Sequence, residues 1–341
     1  MNRDSTMKEH VALFDHADRG WKQTFQSIVR SRDSSIVLAA AILVLLFSLT
    51  SGGQFLQGST WPTILSSTAE LGIVTIGVAL LMIGGDFDLS VGANFSFSAL
   101  IMATLMEHGE SGLVGMLVAL GIGLFIGFLN GIITVFLAIP SFVATLGTWL
   151  IWEGVTLVVT GGSTITVFQR SVVLNLLGGV LVGGIRWEVL WWVVIGIVVS
   201  IVLYRTPFGN AVFAVGGRAQ SAREAGVPVR RIRVISFTVC GLLAAVAGVV
   251  QFGHLQSMAS SYGEYYQLYA IAAAVVGGTV LTGGRGSIVG TMLGSLILSM
   301  LDAGLILSGV STFWYQAVIG AIVIVAVAMH TRLSRLVRGG D

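Results

Sequence analysis

The stretch Ile36–Leu49 reads IVLAAAILVLLFSL, and near the other end of the chain Val318–Ala328 reads VIGAIVIVAVA; neither carries a charge. A soluble domain needs polar side chains over its surface, so runs of this kind repeated along a chain assign the covering role to lipid. Composition agrees. Of the 341 residues, 55% are hydrophobic and 10% charged, whereas soluble domains carry about 25% charge. The net charge of +2 is too small for a nucleic-acid partner, and the basic residues flank apolar runs instead of forming one basic face. A single cysteine, Cys240, excludes an intramolecular disulfide framework. His10, His16, His108, His254 and His330 show no metal-ligand spacing, so no metal or cofactor is expected.

At about 17 to 25 apolar residues per crossing, an all-α polytopic membrane protein of about ten transmembrane helices is expected. The spans fall near residues 34–52, 63–84, 89–106, 112–138, 141–160, 187–204, 234–253, 267–283, 287–308 and 312–330. Cytoplasmic loops collect Lys and Arg, and the basic residues follow an even count. Arg3, Lys8, Arg19, Lys22, Arg30 and Arg32 precede the first span, and Arg205, Arg218, Arg223, Arg230, Arg231 and Arg233 follow the sixth. Arg285 follows the eighth, and Arg332, Arg335 and Arg338 the tenth, leaving Arg170 and Arg186 outside. Both termini are then cytoplasmic, with 160–186 external. Three regions result: a cytoplasmic arm over 1–33, a transmembrane domain over 34–331 with a cytoplasmic connection at 205–233, and a tail over 332–341. The arm is polar, so the first apolar run lies too deep for an ordinary cleaved signal peptide and is expected to remain as an anchor. Phe14, Trp21, Phe25 and Ile28 fit one face of an interfacial helix or chance periodicity in a disordered arm.

Glycines at four-residue spacing, Gly123, Gly127 and Gly131 and again Gly286, Gly290 and Gly294, mark seams where helix backbones approach closely in lipid. A phosphate-binding loop is approached at Gly278 to Gly283, but Gly284 and Arg285 stand where lysine and a hydroxyl belong. ATP, if it drives this chain, is hydrolysed on another subunit. Acids within spans are Glu70, Glu153 and Asp302. They are candidates for substrate contact or proton transfer, or they are satisfied by neighbours or an interface.

The run Gly84-Gly85-Asp86-Phe87-Asp88-Leu89-Ser90 supplies turn glycines and helix caps. It reads as a tight cytoplasmic turn or as the break of a discontinuous helix facing a watery path. The connection Arg205 to Arg233 holds Ala222, Arg223, Glu224, Ala225 and Gly226. A short helix at 219–225 would make a knob that docks on a partner, or the loop is solvated and meets anionic membrane lipid. Asn94, Asn130, Thr145, Thr148 and Trp152 are the candidate pathway residues, because amides and hydroxyls exchange hydrogen bonds with a polar solute and Trp stacks on a sugar's C–H face.

Four segments resemble the permease subunits of bacterial ABC importers for simple sugars, the group that includes the ribose, xylose, arabinose and galactose permeases. Gly84 to Gly92 is similar to that family's glycine, aspartate, leucine, serine, valine, glycine signature, carried here by Gly85, Asp86, Asp88 and Ser90. Asn130-Gly131 and then Ile139-Pro140-Ser141 to Thr148 look like its second signature. Arg205 to Val227 resembles its coupling loop, with Glu224-Ala225 departing from an apolar residue and serine. Gly277-Gly278-Thr279, Gly283-Gly284-Arg285-Gly286-Ser287 and Gly290-Thr291 resemble its late glycine signature. The resemblance implies a ten-helix subunit of the bacterial inner membrane that dimerises with an identical or paralogous permease. It also implies ABC ATPase subunits and an extracytoplasmic sugar-binding protein as partners, and no catalytic residues. The alternative from a different class is a proton-coupled secondary transporter of a small polar solute using Glu70 or Asp302. An intramembrane enzyme lacks paired catalytic groups.

Overall fold

A computed structural model describes residues 32–169, 171–311 and 313–338. The arm and its proposed interfacial face lie outside these residues. Among the described residues six helices are long and apolar enough to cross a membrane: α2 (Thr60–Ile83), α4 (Gly112–Phe136), α5 (Ser141–Thr160), α7 (Trp187–Arg205), α9 (Val229–Leu255) and α11 (Ile288–Leu307). The remaining helices are α1 (Arg32–Thr50), α3 (Val91–Glu107), α6 (Val172–Gly178), α8 (Pro207–Glu224), α10 (Tyr266–Val276) and α12 (Phe313–Arg338). Shorter apolar stretches lie in α1, α3, α10 and α12. Two small antiparallel pairs complete the described part. β1 (Ile165–Thr166) joins β4 (Ser257–Met258), and β2 (Val180–Val182) turns back on β3 (Ile185–Arg186).

The centre of the fold is α9, which packs on α2, α3, α4 and α6. Residues Thr68 to Ile83 of α2 are buried without interruption, as suits a helix that is apolar all round. By contrast α4 buries one stripe, Gly115, Ala119, Gly123, Gly127 and Gly131, and exposes Leu117, Leu124, Phe125 and Phe128. An added Cβ at Gly127 would stand 2.4 Å from Phe237 O, and at Gly131 3.0 Å from Val234 Cα. The stripe therefore brings α4 against the backbone of α9, the close approach that small residues permit in lipid. The outer faces of α4, α5 and α7 expose Leu, Ile, Val and Phe side chains along their length, as suits contact with lipid. The chain is a polytopic, all-helical membrane protein.

Three expectations are revised in detail. The expected span at 267–283 is helical only over Tyr266–Val276, and 277–287 is irregular backbone. The connection at 205–233 is mostly helix: α8 fills Pro207–Glu224, with extended backbone at Arg218 that separates a second short helical piece. The final helix continues through Arg338, past residue 331.

Candidate functional site

The chain between α2 and α3 is not a hairpin turn. Both helices pack on α9, and α3 begins beside the midpoints of α4 and α9, where Asn94 Nδ2 donates to Gly241 O at 3.0 Å. Residues 84–90 thus run non-helically through a packed interior, and every exposed amide there requires an acceptor. The first turns of α5 supply two. Phe87 N donates to Ser141 Oγ at 3.2 Å, and Leu89 N donates to Thr145 Oγ1 at 3.0 Å. Ser90 N and Ser90 Oγ donate to Asp88 Oδ1 at 2.8 and 2.7 Å, an Asx turn, while Asn130 Nδ2 reaches Ser90 Oγ at 2.7 Å. Ser90 is the N-cap position of α3, and its side chain makes no cap bond. Asp86, 3% exposed, accepts a two-pronged interaction from Arg233 near the start of α9, the geometry in which Arg binds carboxylate best.

The glycine-rich segment and α8 meet this break. Gly284 N donates to Ile83 O at 2.8 Å, at the last turn of α2. An added Cβ on Gly216 of α8 would lie 1.8 Å from Ile83 O and 2.7 Å from Gly284 N. Gly283 and Gly284 have positive φ and abut Gly216 and Gly217. Three of the motifs read from sequence therefore converge on one backbone junction at the end of α2. The amide of Gly284, in the segment that approaches a phosphate loop in sequence, is already bonded to Ile83. Arg285 is exposed beside it, and Pro140 is the N-cap residue of α5.

Beyond Arg218 the tip of α8 turns outward. Ala222 is buried, while Arg223, Glu224, Ala225 and Gly226 are exposed. The helix closes on Gly226, which has φ +83°, with Val227 N donating to Ala222 O at 2.9 Å, the left-handed C-terminal cap that favours glycine. Arg230 lies over the ring of Phe136.

The candidate pathway residues divide. Asn94, Asn130, Thr145 and Thr148 are buried and engaged inside the subunit: Ser98 Oγ donates to Asn94 Oδ1, and Thr148 Oγ1 donates to Thr145 O. Trp152 packs on Phe97 with ring centres 5.2 Å apart. One turn away, a cavity of about 160 Å³ is lined by Trp149, Glu153 and Thr156 of α5, by Ser96 of α3 and by Ser260 and Glu264.

Sequence spacing also missed a second polar cluster. Gln251 Nε2 donates to Glu70 Oε2 at 2.8 Å, and His254 Nδ1 lies 3.1 Å from Glu70 Oε1 and 3.5 Å from Glu188 Oε1. These residues come from α2, α7 and α9, so no local pattern could group them. Asp302 is half-buried on α11, away from any carboxylate or histidine cluster among the described residues.

Residues 62–327 match the family described as "Branched-chain amino acid transport system / permease component". The chain belongs to this permease family. It is 36% identical over 300 residues to the probable ABC transporter permease protein YphD of Escherichia coli, covering 88% of this chain and 90% of that protein. It is 34% identical over 297 residues to the ribose import permease protein RbsC of Bacillus subtilis, covering 87% and 92% respectively. Against the fructose import permease protein FrcC of Rhizobium meliloti it is 32% identical over 336 residues, covering 94% and 91%. No solved structure matches the chain. The permease is a transport subunit and not an enzyme, and membership of this family displaces the proton-coupled alternative.

Proposed function

We propose that this permease is one of two such subunits in an ATP-driven importer of the bacterial inner membrane. Its cargo is a monosaccharide or closely related polyol delivered by an extracytoplasmic binding protein. Ten crossings are read from the apolar runs, and the basic-residue count favours an even number with both termini and α8 on the cytoplasmic side. Support for the cargo comes from relatives named for ribose and fructose import. The α5 cavity carries Trp, Ser, Thr and Glu side chains. Such groups form loose hydrogen bonds and C–H stacking with a sugar, and a cavity below the usual ligand-pocket range of roughly 300 Å³ suits passage more than capture. Trp152 and Thr148 lie on the same helix as this lining and belong to the proposed path. Asn130 and Thr145 are proposed to shape it through the break they hold, and Asn94 by tying the start of α3 to α9.

The observation that carries the energy-coupling half of this reading is the junction at Gly216, because it connects an exposed knob to the ends of two broken helices. ABC ATPases hydrolyse ATP and push on the knob at Ala222 to Gly226; the push travels through α8 to the break at 84–90. A solvated loop meeting lipid would depend on charge alone. The two are separated by Gly226→Trp. Apart from its chain neighbours, no atom of the described residues lies within 4 Å of an added Cβ there, so the folding penalty comes mainly from the left-handed backbone, roughly 1 to 2 kcal/mol. Gly226→Ala carries the same penalty without the bulk. ATPase retained on copurification should fall tenfold or more with Gly226→Trp and much less with Gly226→Ala. Equal retention by both variants, with loss only in Arg223→Ala, would favour the lipid-bound loop.

A further inference from the structure

At the end of α9 opposite the coupling helix, two buried carboxylates and an imidazole converge. We propose that Glu70, Glu188 and His254 bind a single divalent transition-metal ion of the zinc class. One potential ligand atom from each residue lies within 4.8 Å of the others. His254 Nδ1 stands 3.1 Å from Glu70 Oε1 and 3.5 Å from Glu188 Oε1. Ligands about 2.0 to 2.2 Å from a tetrahedral ion are roughly 3.3 to 3.6 Å from one another; the 3.5 Å separation falls in that range, and the 3.1 Å one lies just below it, so a small outward shift of His254 opens the shell.

A protonated histidine does not account for the cluster. One N–H on Nδ1 can serve one oxygen, and it is nearer Glu70. Glu188 is then left fully buried with neither carboxylate oxygen bonded, a cost of several kcal/mol for an ionised group. Among the described residues no Lys or Arg forms an ion pair with either carboxylate. Arg186, at the start of α7, directs Nη1 to Gly178 O at 2.9 Å. A dication satisfies Glu70, Glu188 and the neutral ring at once and cancels both negative charges.

The surroundings fit an ion. Gln251 Nε2 holds Glu70 Oε2 at 2.8 Å and leaves Oε1 to coordinate, the kind of outer hydrogen bond that orients a metal ligand. The His254 side chain keeps 21% exposure, which provides an entry route and room for a water as fourth ligand. Imidazole with carboxylates suits zinc, cobalt or iron, and the absence of a thiolate argues against copper(I). Bridging α2, α7 and α9, the ion would fasten three helices together at the end of α9 opposite α8.

The test uses the full-length permease without an affinity tag, purified in detergent, loaded with Zn2+ and desalted. Metal analysis should find about one zinc per chain, falling at least tenfold in Glu188→Gln and in His254→Gln. Wild-type protein that retains no zinc, or variants that retain it equally, would overturn the site. Because either variant could misfold, the wild-type protein is also loaded with Co2+. Intense visible absorption of four-coordinate cobalt, displaced by one equivalent of Zn2+, is expected. Its absence would overturn the assignment irrespective of the variants. Neither readout depends on which solute the permease carries.

Discussion

Replacing Gly216 with valine should abolish transport while leaving the protein in the membrane. The position admits no Cβ: the nearest atoms are Ile83 O and Gly284 N, both backbone, and backbone cannot rotate aside as a side-chain tip can. Overpacking a close contact costs roughly 1 to 3 kcal/mol, which α8 can relieve by moving off the junction. That movement disconnects the knob from the break at 84–90. Membrane insertion and binding-protein association should persist, and sugar-stimulated ATP hydrolysis should drop at least tenfold. Gly217, adjacent on α8 and with no atom near an added Cβ, supplies the control. Gly217→Ala should retain most of the stimulation, and equal loss from both substitutions would show that the close approach at Gly216 has no special role.

The second large effect concerns Arg233. Its removal leaves the Asp86 carboxylate buried without a cation, and breaking such a pair typically costs about 3 to 5 kcal/mol. The lower end is expected, since 30% of the Arg233 side chain remains exposed. Thermal unfolding in detergent should show Arg233→Met strongly destabilised, with Asp86→Asn added to it restoring most of the loss. A double variant no better than Arg233→Met alone would mean that the pair is not what holds the break to α9.

Much of this architecture is legible in the residues. Helix positions follow from charge-free runs, and Gly84 to Ser90 announces an interruption by its glycines and acids. The choice between a turn and a broken helix was not local, because it depends on Ser141 and Thr145 accepting hydrogen bonds from a segment more than fifty residues earlier. Asn130 and Thr145 present as pathway residues in sequence, since a polar side chain in an apolar span signals function. In the fold Thr145 Oγ1 accepts from the irregular backbone at Leu89 and Asn130 Nδ2 is committed to Asp88 and Ser90. The helical character of α8 was partly hidden by its three glycines and basic residues, which weaken the apolar periodicity that marks a helix. Glu70, Glu188 and His254 could not be grouped at all: separations of 118 or more positions between Glu70 and the others carry no spacing signal, and only the packing of α2, α7 and α9 unites them.

Coupling to separate ATPase subunits is tested most directly by uptake into proteoliposomes. The purified permease is reconstituted alone, or with its ATPase and sugar-binding protein, with ATP enclosed on the ATPase side and labelled sugar presented with the binding protein. Concentrative uptake should appear only in the complete system, require hydrolysable ATP and survive a protonophore. Accumulation by the permease alone, driven by an imposed proton gradient and abolished by the protonophore, would contradict it.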